Sequence, residues 1–146
     1  MLKEITEDTL FDILKLEVNE AQKNFVAPNS VSIAQAYFSK NAWFRGIYHD
    51  GKPVGFVMLH IDRKKAEYWV WRFMVAKEHQ GKGYGQMAMQ EIIELVKKLP
   101  KAKELCLSYV PGKGNPSHFY KKMGFVETGE WDDDGKEKIM KYDFRI

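Results

Sequence analysis

Apolar residues recur along this chain with two different periods, and the change of period marks out its elements. Across residues 6–18, Leu10, Ile13, Leu14 and Val18 fall on one helical face, which predicts a first helix behind a short start at residues 2–5. Residues 19–30 mix polar and apolar positions around Pro28, and residues 30–37 resume the helical spacing behind a cap at Asn29 or Ser30. The period then drops to two. Residues 42–48, 54–61 and 67–75 are rich in aromatic and β-branched side chains and predict three strands. Asp50-Gly51 and Arg63-Lys64-Lys65 join them, too short for parallel crossovers, so the three strands form an antiparallel meander.

Helical spacing returns at Ala88, Ile92, Leu95, Val96 and Leu99, a stripe that Pro100 ends, with Glu91, Glu94, Lys97 and Lys98 on the other side. A strand over 104–110, a short helix over 115–123 and a closing hairpin of 125–131 with 138–144 complete the chain. The class is α+β with a mixed central sheet.

Composition narrows this picture without changing it. At 146 residues and 45% hydrophobic, the chain fits one domain, 1–146. The net charge of +3 is spread over dispersed lysines, which suits an anionic ligand and calls for no nucleic acid. Charges at Lys3, Glu4, Glu7 and Asp8 interrupt the first ten residues, and no apolar run reaches membrane-spanning length, so a cytoplasmic protein is expected. The single cysteine, Cys106, sits between Leu105 and Leu107 and reads as core; no metal site is expected.

The chemistry concentrates at Gln80-Gly81-Lys82-Gly83-Tyr84-Gly85, between the end of a strand and the start of the long helix. Glycines let backbone approach a phosphate, and the first N–H groups of a helix have no internal partner, so this turn can cradle an anion. A P-loop would need Ser or Thr after Gly81-Lys82, where Gly83 stands. Residues 83–88 do satisfy the alanine-ended dinucleotide fingerprint, but an antiparallel meander precedes them and Glu104 begins the next strand rather than ending it. A nicotinamide or flavin site is therefore the minor alternative.

These residues resemble the GCN5-related N-acetyltransferase (GNAT) family, whose acyl-CoA motif is a strand, then Gln/Arg-x-x-Gly-x-Gly/Ala, then a helix. Tyr120-Lys121-Lys122-Met123-Gly124-Phe125 is similar to the Tyr-x-x-x-Gly-Phe segment of the family's acceptor half. The resemblance implies a mostly antiparallel sheet of about seven strands with about four helices, and acetyl-CoA as cosubstrate. Within the family, residues 22–29, 53–58 and 71–75 look most like the bacterial diamine and polyamine (spermine/spermidine) acetyltransferases. A primary amine of a diamine or polyamine is the implied acceptor. A protein or N-terminal acetyltransferase, or a silent CoA-binding sensor, are the alternatives, and the oligomeric state is open, a homodimer included.

By the same resemblance, the backbone of Phe73, Met74 and Val75 holds the pantetheine arm. Gln80, Gly81, Lys82, Gly83, Tyr84, Gly85 and Gln86 hold the pyrophosphate, Asn115 touches the cofactor, and Tyr120 protonates the leaving thiolate. An ordinary tyrosine pKa of about 10 keeps that donor protonated at neutral pH. Polyamine acetyltransferases often carry an acidic residue where this chain has Trp71, so the base does not carry over. Glu67, Glu78, His60, His79 and His118 are candidate proton acceptors, and Glu17, Glu20 and Glu67 candidate carboxylates for a cationic acceptor. Asp132-Asp133-Asp134-Gly135 reads as a solvated turn.

Overall fold

The computed structural model describes residues 1–145. Its elements are β1 (Leu2–Lys3), α1 (Leu10–Leu14), α2 (Asn29–Tyr37), β2 (Ala42–His49), β3 (Lys52–Asp62), β4 (Glu67–Val75), α3 (Tyr84–Lys97), β5 (Glu104–Tyr109), α4 (Ser117–Lys122), β6 (Val126–Trp131) and β7 (Lys138–Asp143). All seven strands join one sheet in the order β1-β2-β3-β4-β5-β7-β6. Every pairing is antiparallel except β4 with β5, as the α3 crossover between them requires. The expected α+β class, strand count and helix count all hold.

Strand β3 is covered on both faces, which is why it is apolar almost without interruption. Val57, Leu59 and Ile61 join one core with Ala88, Met89, Ile92, Ile93 and Val96 of α3, and Phe56 and Met58 join another with Ile13, Leu16 and Met74. Each fully buried side chain such as Met89 or Ile92 contributes roughly 1.5–3 kcal/mol. Gly55 lets β4 come close: a Cβ there would collide with the Met74 carbonyl oxygen.

One expectation is corrected. The first helix covers only Leu10–Leu14, and its start has no side-chain cap. A Thr6–Thr9 turn precedes it, with the Thr6 N–H donating to Thr9 Oγ1 at 2.9 Å. Beyond it, Leu16 and Val18 are buried while Glu17 is exposed, an alternation of extended chain. The Glu17 carbonyl accepts the Lys77 N–H at 2.8 Å, so tertiary pairing takes the backbone that a longer helix would have used. The closing hairpin forms as expected, and it joins the sheet through its second strand: β7 pairs with β5 and β6 forms the sheet edge.

Candidate active site

A left-handed turn links β4 to α3. After β4, the Ala76 N–H donates to the Val54 carbonyl at 2.8 Å, and Lys77–His79 make a 3₁₀ turn. Gly81 and Gly83 then adopt φ of +77° and +85°. A Cβ on either would meet nothing within 4 Å, so it is backbone conformation, not crowding, that asks for glycine. The first helical bond of α3 runs from the Met87 N–H to the Gly83 carbonyl, which leaves the N–H groups of Tyr84, Gly85 and Gln86 without helical acceptors. No side chain caps this end, so the positive pole of the helix faces open space.

That space is a cleft of about 590 Å³, lined by Phe73, Met74, Val75, Gln80, Gly81, Gly83, Tyr84, Gly85, Gln86, Asn115 and Tyr120. Of the residues expected to hold the cofactor or act as the acid, Lys82 alone does not line it and is exposed. Met74 is buried in the core under α1 and α2, so it can offer the cleft only main chain. Two side chains are already committed. Gln80 Nε2 donates to the Val75 carbonyl at 2.9 Å and to Gln22 Oε1 at 2.7 Å, pinning the turn to the strand end. Asn115 Nδ2 donates to the Gly112 carbonyl at 2.6 Å while its Oδ1 accepts the Ser117 N–H at 2.9 Å, which shapes the start of α4. Lys122, missed from sequence, also lines the cleft and adds a cation suited to phosphate.

A second cavity, about 340 Å³, opens where β4 and β5 part. The two strands pair only at Trp69 with Cys106 and Val70 with Leu107. Directly beyond, a bulge leaves Trp71 unmatched, because Met58 faces Arg72 and Leu59 faces Val70. The strands diverge from there, and residues 23–28 cover the gap. Phe25, Val26, Phe73, Pro116 and Tyr120 line both this cavity and the cleft, so the two meet at Tyr120. The Tyr120 ring is buried between Phe119 and Phe125, with centroids 5.5 and 5.9 Å away, and burial pushes its pKa upward. It is a neutral hydrogen-bond donor at any physiological pH.

The proton acceptors and carboxylates expected from sequence do not gather here. His60 and Glu67 lie with Asp62 at the far end of the β3–β4 hairpin. Glu78 and His118 are exposed, and His79 lines the cleft, not the second cavity. Glu20 is taken by Lys23 at 2.7 Å. The carboxylate that does line the second cavity is Glu137, just before β7. No motif announces it; only the insertion of β7 beside β5 brings it there. Cys106 is half-buried against Glu104, 3.1 Å away, and burial with that carboxylate pushes its thiol up to about 12, so it is inert as a nucleophile.

A strand whose free edge opens beside a glycine turn, with the N-terminus of a helix facing the cleft, makes a site for an extended ligand that carries an anionic group. The family model for the acetyltransferase (GNAT) family matches residues 10–125. The spermine/spermidine N(1)-acetyltransferase of Bacillus subtilis (strain 168) is 30% identical over 145 residues, 95% of each chain. Among solved structures, PaiA N-acetyltransferase from Thermoplasma acidophilum in complex with coenzyme A superposes with a TM-score of 0.69 at 19% identity, covering 99% of this chain and 98% of that one. The ribosomal-protein-S18-alanine N-acetyltransferase from Escherichia coli gives 0.71 at 16% identity, over 98% and 92%. The chain belongs to the GNAT family of acetyltransferases. It is an acetyl-CoA-dependent acyltransferase, and no helix among the described residues is long and apolar enough to cross a membrane.

Proposed function

We propose that the chain acts as one acetyltransferase domain that moves the acetyl group of acetyl-CoA to a primary amine of a small diamine or polyamine. The observation that supports this most is the meeting of the cleft and the second cavity at Tyr120. In this reading the unpaired N–H groups at the start of α3 and the side chain of Lys122 take the pyrophosphate, and the main chain of Phe73 and Met74 aligns the pantetheine arm. Gln80 and Asn115 hold the loops in shape.

The amine enters the second cavity and its nitrogen attacks the thioester carbonyl carbon. A C–N bond forms, the C–S bond breaks, and one proton leaves nitrogen as sulfur gains one. Tyr120 donates a hydrogen bond that strengthens as negative charge gathers on sulfur. Its raised pKa makes it a poor acid by itself, so the proton released from nitrogen restores any that it gives up.

The 30% identical spermine/spermidine relative supports the choice of acceptor. A panel of spermidine, spermine, short diamines, monoamines and peptides, assayed with acetyl-CoA by thiol release, tests it. Turnover with diamines or polyamines is the expected result; acetylation of peptides alone would sink the reading.

A further inference from the structure

The charged side chains that line the second cavity are Lys23, Arg72 and Glu137. Lys23 is paired with Glu20. The Arg72 guanidinium lies against its own strand, with Nη1 donating to the Trp71 carbonyl and Nη2 to Gln35 Oε1, each at 3.0 Å. Nearby Glu127 accepts the Tyr109 hydroxyl at 2.6 Å and pairs with Lys121 at 3.9 Å. Glu137 differs from all of these. It is half-buried, it lines the cavity, and it forms no ion pair among the described residues.

Its position is fixed from three sides. The Ser108 hydroxyl, on β5, lies 3.2 Å from Oε1. The Glu137 N–H donates to Asp132 Oδ1 at 3.0 Å, and the Glu137 carbonyl accepts the Asp132 N–H at 2.8 Å. The carboxylate therefore stands at the root of the acidic β6–β7 turn, in which Asp133 and Asp134 are exposed. The half-buried Arg72 guanidinium, which lines the same cavity, acts on this carboxylate only beyond ion-pair distance, so a cation arriving in the cavity would be its first direct ionic partner.

We propose that Glu137 is the anchor for a second ammonium group on the acceptor, so that this cavity selects diamines and polyamines over monoamines. The inference rests on the acetyl-transfer reading: the reacting nitrogen lies by Tyr120 while the far ammonium is held at Glu137. Ser108 is a positioning residue that aims the carboxylate.

The test uses the full chain and Glu137→Gln, which keeps the side-chain size and the Ser108 hydrogen bond. Steady-state kinetics compare spermidine with a monoamine of similar length, both with acetyl-CoA. The expected result is a fall of about tenfold or more in the kcat/KM ratio of spermidine over monoamine, carried by KM, with CoA affinity unchanged. Glu137→Asp recovers part of that preference, and Ser108→Ala loses only about two- to threefold; these two carry the test if the Gln variant does not fold. Equal effects on both amines, or a loss in kcat with a shifted pH profile, would overturn the anchor. Should the wild-type chain acetylate no amine, the transfer reading fails by itself, and calorimetry with spermidine still decides the anchor. Binding lost in Glu137→Gln supports it, and binding equal in both chains overturns it.

Discussion

The cleft proposed to hold the cofactor and the cavity proposed to hold the acceptor are built in different ways. The polar features of the cleft at β4 and α3 are main chain and local: two glycines at positive φ, three unpaired helical N–H groups and a free strand edge, all within residues 73–86. The second cavity is assembled from separate stretches of chain: residues 23–28, β4, β5, Pro116, Tyr120 and Glu137. A backbone site depends on local conformation and tolerates change in the side chains around it. A side-chain site changes specificity with a single substitution, which is how one fold serves many acceptors.

The sharpest probe of the boundary between the halves is Tyr120→Phe. Removing the hydroxyl should lower kcat about 10²-fold or more while leaving CoA affinity unaltered, as read by steady-state kinetics and calorimetry. Unchanged turnover would remove Tyr120 from the chemistry.

Gly83→Val attacks the cofactor half alone. At φ +85° a β-branched residue is strained, so we expect roughly 1–3 kcal/mol of destabilisation in thermal melts and at least tenfold weaker CoA binding. The Tyr120 environment should be untouched.

Gln80→Ala tests whether the halves are coupled. Gln80 and Gln22 exchange two amide hydrogen bonds, 2.7 and 3.3 Å long, and the Gln22 loop continues into the wall of the second cavity. Losing this brace should weaken CoA binding about three- to tenfold and also raise the amine KM, at about 0.5–1.5 kcal/mol per bond. An effect on CoA alone would show that the halves act independently.

The smallest expected effect belongs to Cys106. With its thiol held near 12, alkylation at pH 8 should be far slower than for a free cysteine, and Cys106→Ala should leave kcat/KM within about twofold. The sign of the pH effect follows from the direction of the shift. The folded chain holds the proton more tightly than the unfolded one, so the stabilisation is complete below the ordinary thiol pKa of about 8.5 and is lost as pH rises toward 12. Urea titrations across that range should show a shallower decline in Cys106→Ala.

Much of the fold was legible because its signals are local. The α3 stripe from Ala88 to Val96, the Asp50-Gly51 hairpin and the apolar run of β3 each announce one element within a short window. The first helix was overextended because Leu16 and Val18 are apolar at spacings that a helix and an extended segment both satisfy. Only the bond from Lys77 to Glu17 decides between them.

The sequence by itself determined the glycine turn, the strand before it, the helix after it and Tyr120 in a segment like the family's own, because each depends on neighbours along the chain. Packing between distant segments, not any local signal, parts β4 from β5 beyond Val70, inserts β7 beside β5, and brings Glu137 to the second cavity while Glu17, Glu20 and Glu67 stay away from it. Strand order is set by how layers pack over a shared core, and no local period or motif in the chain records that choice.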